Sequence, residues 1–253
     1  MKKILFLMAI VAIVAITFTN CKKDKNKGPQ PLTIKAQVEN GANYNDVFKR
    51  VRAIIYDYPS PYILDHTNWV NGGFTLTLPA TIDTNYFYAI GDEDFPPSIT
   101  ISNKNARVTE VDYFEGFSST TGWDYWYNED DFIHAKIDVN LTSMSISVTQ
   151  VYYLYADSPL SISGSYTDYD REVRFSLSLR AGWNVGYQTM KISMDGIVME
   201  VSTNAVAGCK WYTLSDLYDL IPFKASENNH GDLMKNKLKT KRTIFGKPIK
   251  KSK

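Results

Sequence analysis

The stretch "REVRFSLSLR", residues 171–180, alternates without a break: Val173, Phe175, Leu177 and Leu179 are apolar, and Arg174, Ser176, Ser178 and Arg180 are polar. Successive side chains of a strand point to opposite faces, so this order buries one face and wets the other. A helix would scatter the same four apolar groups around its axis. The pattern recurs along the chain. "TIKAQVE" sets Ile34, Ala36 and Val38 on one face, and "VFKRVRAIIY" sets Val47, Val51, Ala53 and Ile55 inward. "GGFTLTLP" does the same with Phe74, Leu76 and Leu78, and "MSISVTQVYYLY" with Met144, Ile146 and Val148. Residues 86–90, 99–101 and 106–113 are further strand candidates.

Turn chemistry punctuates these runs. Gly72-Gly73 and Pro79 bound one strand, and Asp195-Gly196 between two strand-like runs predicts a hairpin whose central residues need positive φ. Only "TLSDLYDLI" has a helical look, with Thr213 as its cap and Asp216 three residues on in a capping-box spacing. Many short strands with almost no helix predict an all-β chain of two antiparallel β-sandwich domains, with a short C-terminal helix. A single larger sandwich or a barrel is the alternative. The expected boundaries are a leader over 1–20, a flexible tether over 21–31, and a first sandwich over 32–142 that includes an aromatic connector. A second sandwich over 143–222 and a basic, disordered tail over 223–253 complete the chain.

The N-terminus carries the most specific signal. Two lysines precede an apolar run from Ile4 to Phe18, interrupted only by Thr17. A spanning helix needs roughly 20 apolar residues, so this run fits a secretory signal better than an anchor. It ends Phe18-Thr19-Asn20-Cys21 rather than in the small residues of ordinary cleavage. The segment resembles a bacterial lipoprotein leader, in which the cysteine becomes the first mature residue and carries the lipid. Phe18 and Asn20 depart from the leucine and the small residue favoured at those places. The resemblance implies palmitate-type acylation at Cys21, with the body held at a membrane; each buried CH2 contributes about 0.8 kcal/mol. Lys22 and Lys23 lack the aspartate that retains some such proteins at the inner membrane, which by the same resemblance implies the outer membrane. Whether the body faces the periplasm or the cell surface stays open. Cys209, the only other cysteine, is then expected as a buried thiol beside Trp211.

The net charge of +1 hides an asymmetry. Residues 32–222 carry 12 Lys+Arg against 24 Asp+Glu, a net of −12, while residues 223–253 carry 10 against 2, a net of +8. An acidic body argues against a nucleic-acid partner, because phosphate contacts need a clustered basic face.

Signals for catalysis are weak. His66, His134 and His230 are scattered and lie in no zinc-binding spacing. No nucleophile elbow or P-loop occurs. The acidic groups Asp92–Asp94, Asn128–Asp131 and Asp168/Asp170 lack EF-hand spacing and read as solvated loops, so no metal and no cofactor are expected. Paired carboxylates of a glycan hydrolase are the less favoured alternative. One candidate binding site stands out. In "GWDYWYNEDD", residues 122–131, Trp123, Tyr125, Trp126 and Tyr127 are followed by Asp130 and Asp131. Aromatic faces can stack on sugar rings while carboxylates accept hydroxyl hydrogens. An aromatic strand at a domain seam accounts for the same residues. Trp69 and Trp183 are expected in the core.

Two further resemblances concern the body. The stretch 33–79, ending "NGGFTLTLP", is similar to small β-sandwiches of the transthyretin-like or carboxypeptidase-regulatory type. "GSYTDYDREVRFSLSLRAGWNVGY", with the leader and "GGFTLTLPA", resembles a group of β-rich lipoproteins of Gram-negative gut bacteria with no known activity. These imply a location and an architecture: a lipid-anchored envelope protein acting as a non-catalytic binding module, for glycans or another envelope component. A structural or assembly subunit that pairs through an exposed strand edge is the alternative.

Overall fold

The computed structural model describes residues 28–56, 60–92, 95–118, 128–140, 142–168 and 171–220. The expected leader, Cys21, most of the tether and the basic tail lie outside the described residues. The chain is all-β with one short helix. In order the strands are β1 (Leu32–Gln37), β2 (Arg50–Ile55), β3 (Tyr62–Asn68), β4 (Gly73–Leu78), β5 (Tyr88–Ala89), β6 (Ile99–Ile101), β7 (Arg107–Glu110) and β8 (Tyr113–Phe117). Then come β9 (Asn128–Asn140), β10 (Ser145–Ala156), β11 (Leu160–Asp168), β12 (Arg171–Leu179), β13 (Gly182–Ser193), β14 (Gly196–Ser202) and β15 (Lys210–Thr213), followed by helix α1 (Leu214–Asp219).

β1 and β4 form a two-stranded sheet of their own. The other strands form one 13-stranded sheet in the order β3-β2-β8-β9-β10-β13-β14-β12-β11-β6, with β15 paired to β9, and β7 joining β5 to β10. The path begins at β3 and ends at β6, so it does not close, and the barrel alternative falls.

Two large apolar cores flank the middle of this sheet. The first packs Ile34, Phe74, Leu76 and Leu78 of the small sheet against Val51, Ala53, Phe114, Phe132, Val151, Tyr153 and Tyr155 of the large one. The second packs Val108, Leu154 and Ala156 against Leu160, Ile162, Val173, Phe175, Leu177, Leu179 and Val201. Each buried side chain of this size contributes about 1.5–3 kcal/mol. Both cores draw on residues from either side of Thr142. Trp183 and Trp211 return to the first core, while Ile90, Ile99 and Val108 belong to the second. Residues 142–143 lie in the β9–β10 hairpin, whose strands pair from Ser145↔Asn140 to Gln150↔Ala135.

The alternation holds for Phe74, Leu76, Leu78 and for all four apolar residues of β12, every one buried. It fails at Val47 and Met144. Val47 sits in a turn before β2, its N–H bonded to the Tyr44 carbonyl, and is exposed; Phe48 takes the buried place. Met144 has φ +44 in the β9–β10 turn and is exposed. The hairpin at Asp195-Gly196 forms, but Met194 and Asp195 occupy its turn and positive φ falls on Gly196 alone, at +127. One pairing, β12 with β14, is parallel where all were expected antiparallel. β12 and β13 run in opposite directions and β14 lies between them, so it must run parallel to one of the two.

Candidate functional site

Trp123, Tyr125, Trp126 and Tyr127 lie outside the described residues. Asp130 and Asp131, at the start of β9, are described and half-buried. Asp130 is committed internally: one carboxylate oxygen accepts the Asp131 N–H at 2.8 Å and the other accepts the Ser215 N–H at 3.3 Å. It therefore tethers β9 to the first turn of α1. Thr213 caps that helix as expected, its hydroxyl accepting the Asp216 N–H at 3.1 Å. Asp216 does not complete a capping box; its Oδ1 accepts the Tyr44 hydroxyl at 2.7 Å instead. Burial, and then the Asp130 and Asp131 carboxylates, push the Tyr218 hydroxyl up. This end of β9 is an internal acid–tyrosine joint, which removes Asp130 from the set of carboxylates free to receive sugar hydroxyls.

The other chemically active residues are dispersed. His66 is exposed on β3. His134 stacks on Trp211 with ring centroids 4.9 Å apart, and its Nδ1 lies 3.1 Å from the Tyr153 hydroxyl. Burial lowers its basicity, partly offset by a hydrogen bond with the Cys209 backbone. Cys209 is half-buried rather than fully buried; its Sγ lies 3.5 Å from the Val206 carbonyl, and burial pushes the thiol up, away from the thiolate a nucleophile needs. Among the described residues no three His, Cys, Asp or Glu side chains converge as metal ligands. Glu93, Asp94 and Asp170 lie outside the described residues, and Asp168 pairs with Arg171 at 2.7 Å. Trp69 and Trp183 are buried, as expected.

The geometry offers a different surface. β3 edges the large sheet and β4 edges the small one, and between these two edges lies an open groove of about 430 Å³. Thr67, Asn68 and Val70 line one side, and Lys35 and Thr75 the other, with the buried Phe74 among the lining groups. The size falls in the usual range of ligand sites. The edges diverge from a tight corner. Val70 and Gly73 exchange both backbone hydrogen bonds, at 2.9 and 3.1 Å, after which β3 and β4 go to different sheets.

That corner is over-determined. Asn45 Oδ1 accepts both the Trp69 indole N–H and the Gly72 N–H, each at 3.0 Å. Gln37 Nε2 donates to the carbonyls of Asn71 and Gly72. Gly72 has φ +80, and a Cβ on Gly41 would sit 2.2 Å from the Gly72 carbonyl oxygen, so glycine is required at both. Farther along, Asp65 reaches across the gap and its Oδ2 accepts the Thr77 N–H at 2.6 Å. A charged side chain turned onto a strand edge is a common way to block pairing there. The groove between the corner and this block is left open.

In the sequence, "NGGFTLTLP" announces a turn and a strand. Nothing in it shows that the two flanking strands part into different sheets. Comparison with protein-family models, with curated proteins and with solved structures returns no match.

Proposed function

We propose that this protein is a lipid-anchored component of the cell envelope, held through Cys21 and acting as a non-catalytic binding module. The observation that carries the binding part is the groove between β3 and β4: a concave surface set against a corner fixed by Asn45, Gln37 and the Gly41–Gly72 contact. Preorganised surfaces lose less entropy when a ligand docks. The location part rests on the resemblance of the Ile4–Cys21 segment to a lipoprotein leader, and it places the body at the outer membrane. No cofactor or nucleic acid belongs to this proposal.

The test of location is fractionation of the full chain. The wild type is expected in the membrane fraction and Cys21→Ala in the soluble fraction; identical distributions would sink the anchor. The test of binding is retention of envelope material by immobilised protein. Glycan recognition by the Trp123–Tyr127 segment is the competing proposal. Binding of envelope polysaccharide that disappears in Trp126→Ala would favour it over the groove.

A further inference from the structure

The β3/β4 groove exposes backbone hydrogen-bonding groups on both of its walls. Pairing alternates along an antiparallel ladder, so a residue whose N–H and C=O are not used by its partner points them the other way. In β1–β4, the Val38 N–H bonds to the Gly72 carbonyl, which makes Gln37↔Gly73 a pair that does not exchange bonds; Gly73 turns its N–H to Val70 instead. Lys35↔Thr75 has the same parity, and Thr77, two residues on, sends its N–H to Asp65. The Thr75 N–H and C=O therefore point away from β1, into the groove. In β2–β3, the Trp69 N–H bonds to the Lys49 carbonyl, which makes Arg50↔Asn68 a pair of the same kind. The Asn68 N–H and C=O point away from β2, toward the groove from its other side. Among the described residues no strand pairs with either one.

We infer that the groove is an acceptor site for an extended polypeptide strand, which enters between the two edges and takes backbone hydrogen bonds from Thr75 and Asn68. This rests on the binding-module reading above and names its partner class. The side-chain chemistry follows from the lining. Phe74, buried behind Thr75, and the exposed Val70 favour an apolar residue on the inward-facing side of the incoming strand. Lys35 stands exposed on the outer face directly across from Thr75, and no carboxylate among the described residues pairs with it. On a body of net charge −12 it is a local exception, so an acidic side chain is favoured at the facing position of the incoming strand. The occupant is thus a segment of another protein, extended, alternating apolar and polar, with a carboxylate beside Lys35.

The test uses two short capped peptides of alternating threonine and valine, one with glutamate and one with lysine at the centre. Against the full chain, the glutamate peptide is expected to bind about fivefold more tightly than the lysine peptide. It should also slow hydrogen exchange at the Thr75 and Asn68 amides, which exchange freely without it. Thr75→Pro removes the groove-facing N–H and no ladder bond, so it should fold and weaken the glutamate peptide about tenfold. Lys35→Glu, an exposed change that leaves the fold intact, should reverse the preference between the peptides. Protection of both amides in the free protein would overturn the inference. So would peptide binding that ignores Thr75→Pro and leaves both amides unprotected. Retention of envelope material that survives both variants overturns the strand-acceptor site and leaves the binding module standing. Failure of the wild type to retain envelope material removes the binding module itself.

Discussion

β12 and β10 bury their side chains in different ways. In β12 every second residue is buried and the residues between are exposed: Phe175 and Leu177 are in the core while Arg174, Ser176 and Ser178 meet solvent. In β10 the burial runs almost without gaps from Ser145 to Ala156. Val151, Tyr153 and Tyr155 fill the first core, while Leu154 and Ala156 on the opposite face fill the second. β12 is a wall of the molecule and β10 is a partition between two cores. A wall must alternate. A partition reads as a continuous apolar run, because both of its faces are dry.

Adjacent substitutions can break that comparison. Tyr153→Ala should cost about 3–5 kcal/mol and Leu154→Ala about 2–5 kcal/mol, each from a different core. In β12, Phe175→Ala should cost about 3–5 kcal/mol while Ser176→Ala stays within about 0.5 kcal/mol. Urea unfolding of the four variants decides the matter; a silent member in the β10 pair would mean that β10 has only one working face.

A smaller effect tests how the partition handles polar groups. The Tyr152 hydroxyl, on the same face of β10 as Leu154, donates to Gln188 Oε1 of β13 at 2.7 Å. Tyr152→Phe leaves that acceptor unmatched and should cost about 1 kcal/mol. Ser178→Ala on the wet face of β12 should change the unfolding midpoint little.

The smallest expected effect is a pH dependence at the first-core face of β10. His134 stacks on Trp211 and meets the Tyr153 hydroxyl, and burial holds its basicity below the ordinary histidine value. The unfolded chain then takes up a proton before the folded one does. Stability is complete above about pH 6.5 and declines as the pH falls through that value toward the lower folded-state pKa. His134→Gln should reduce the loss measured between about pH 7.5 and about pH 5.5. An unchanged loss would assign it to other groups, His66 among them.

How much was legible follows the same division. Val173 to Leu179 and Phe74 to Leu78 could be read directly, since alternation is a local record of one buried face. Thr213 was legible as a cap, because a hydroxyl before a helix meets the N–H three residues on. Val47 and Met144 were misread because an apolar residue in phase with a strand carries no mark of where the strand begins. The parallel β12–β14 pair was not legible, since strand order is a property of which edges other strands have already taken. At the candidate site, Asp130 carried a visible charge, but its use by the Ser215 N–H could not be seen across 85 positions of chain.

The groove marks the limit most clearly. The sequence by itself determined that residues 62–68 and 73–78 are strands joined by a glycine-rich turn, and that Phe74 faces a core, because these depend on local periodicity and on φ. Only the tertiary structure decided that β3 joins the large sheet while β4 pairs with β1. That choice is made by distant partners, Arg50–Ile55 for one strand and Leu32–Gln37 for the other. The same choice turns the backbone of Thr75 and Asn68 outward and opens the groove between them.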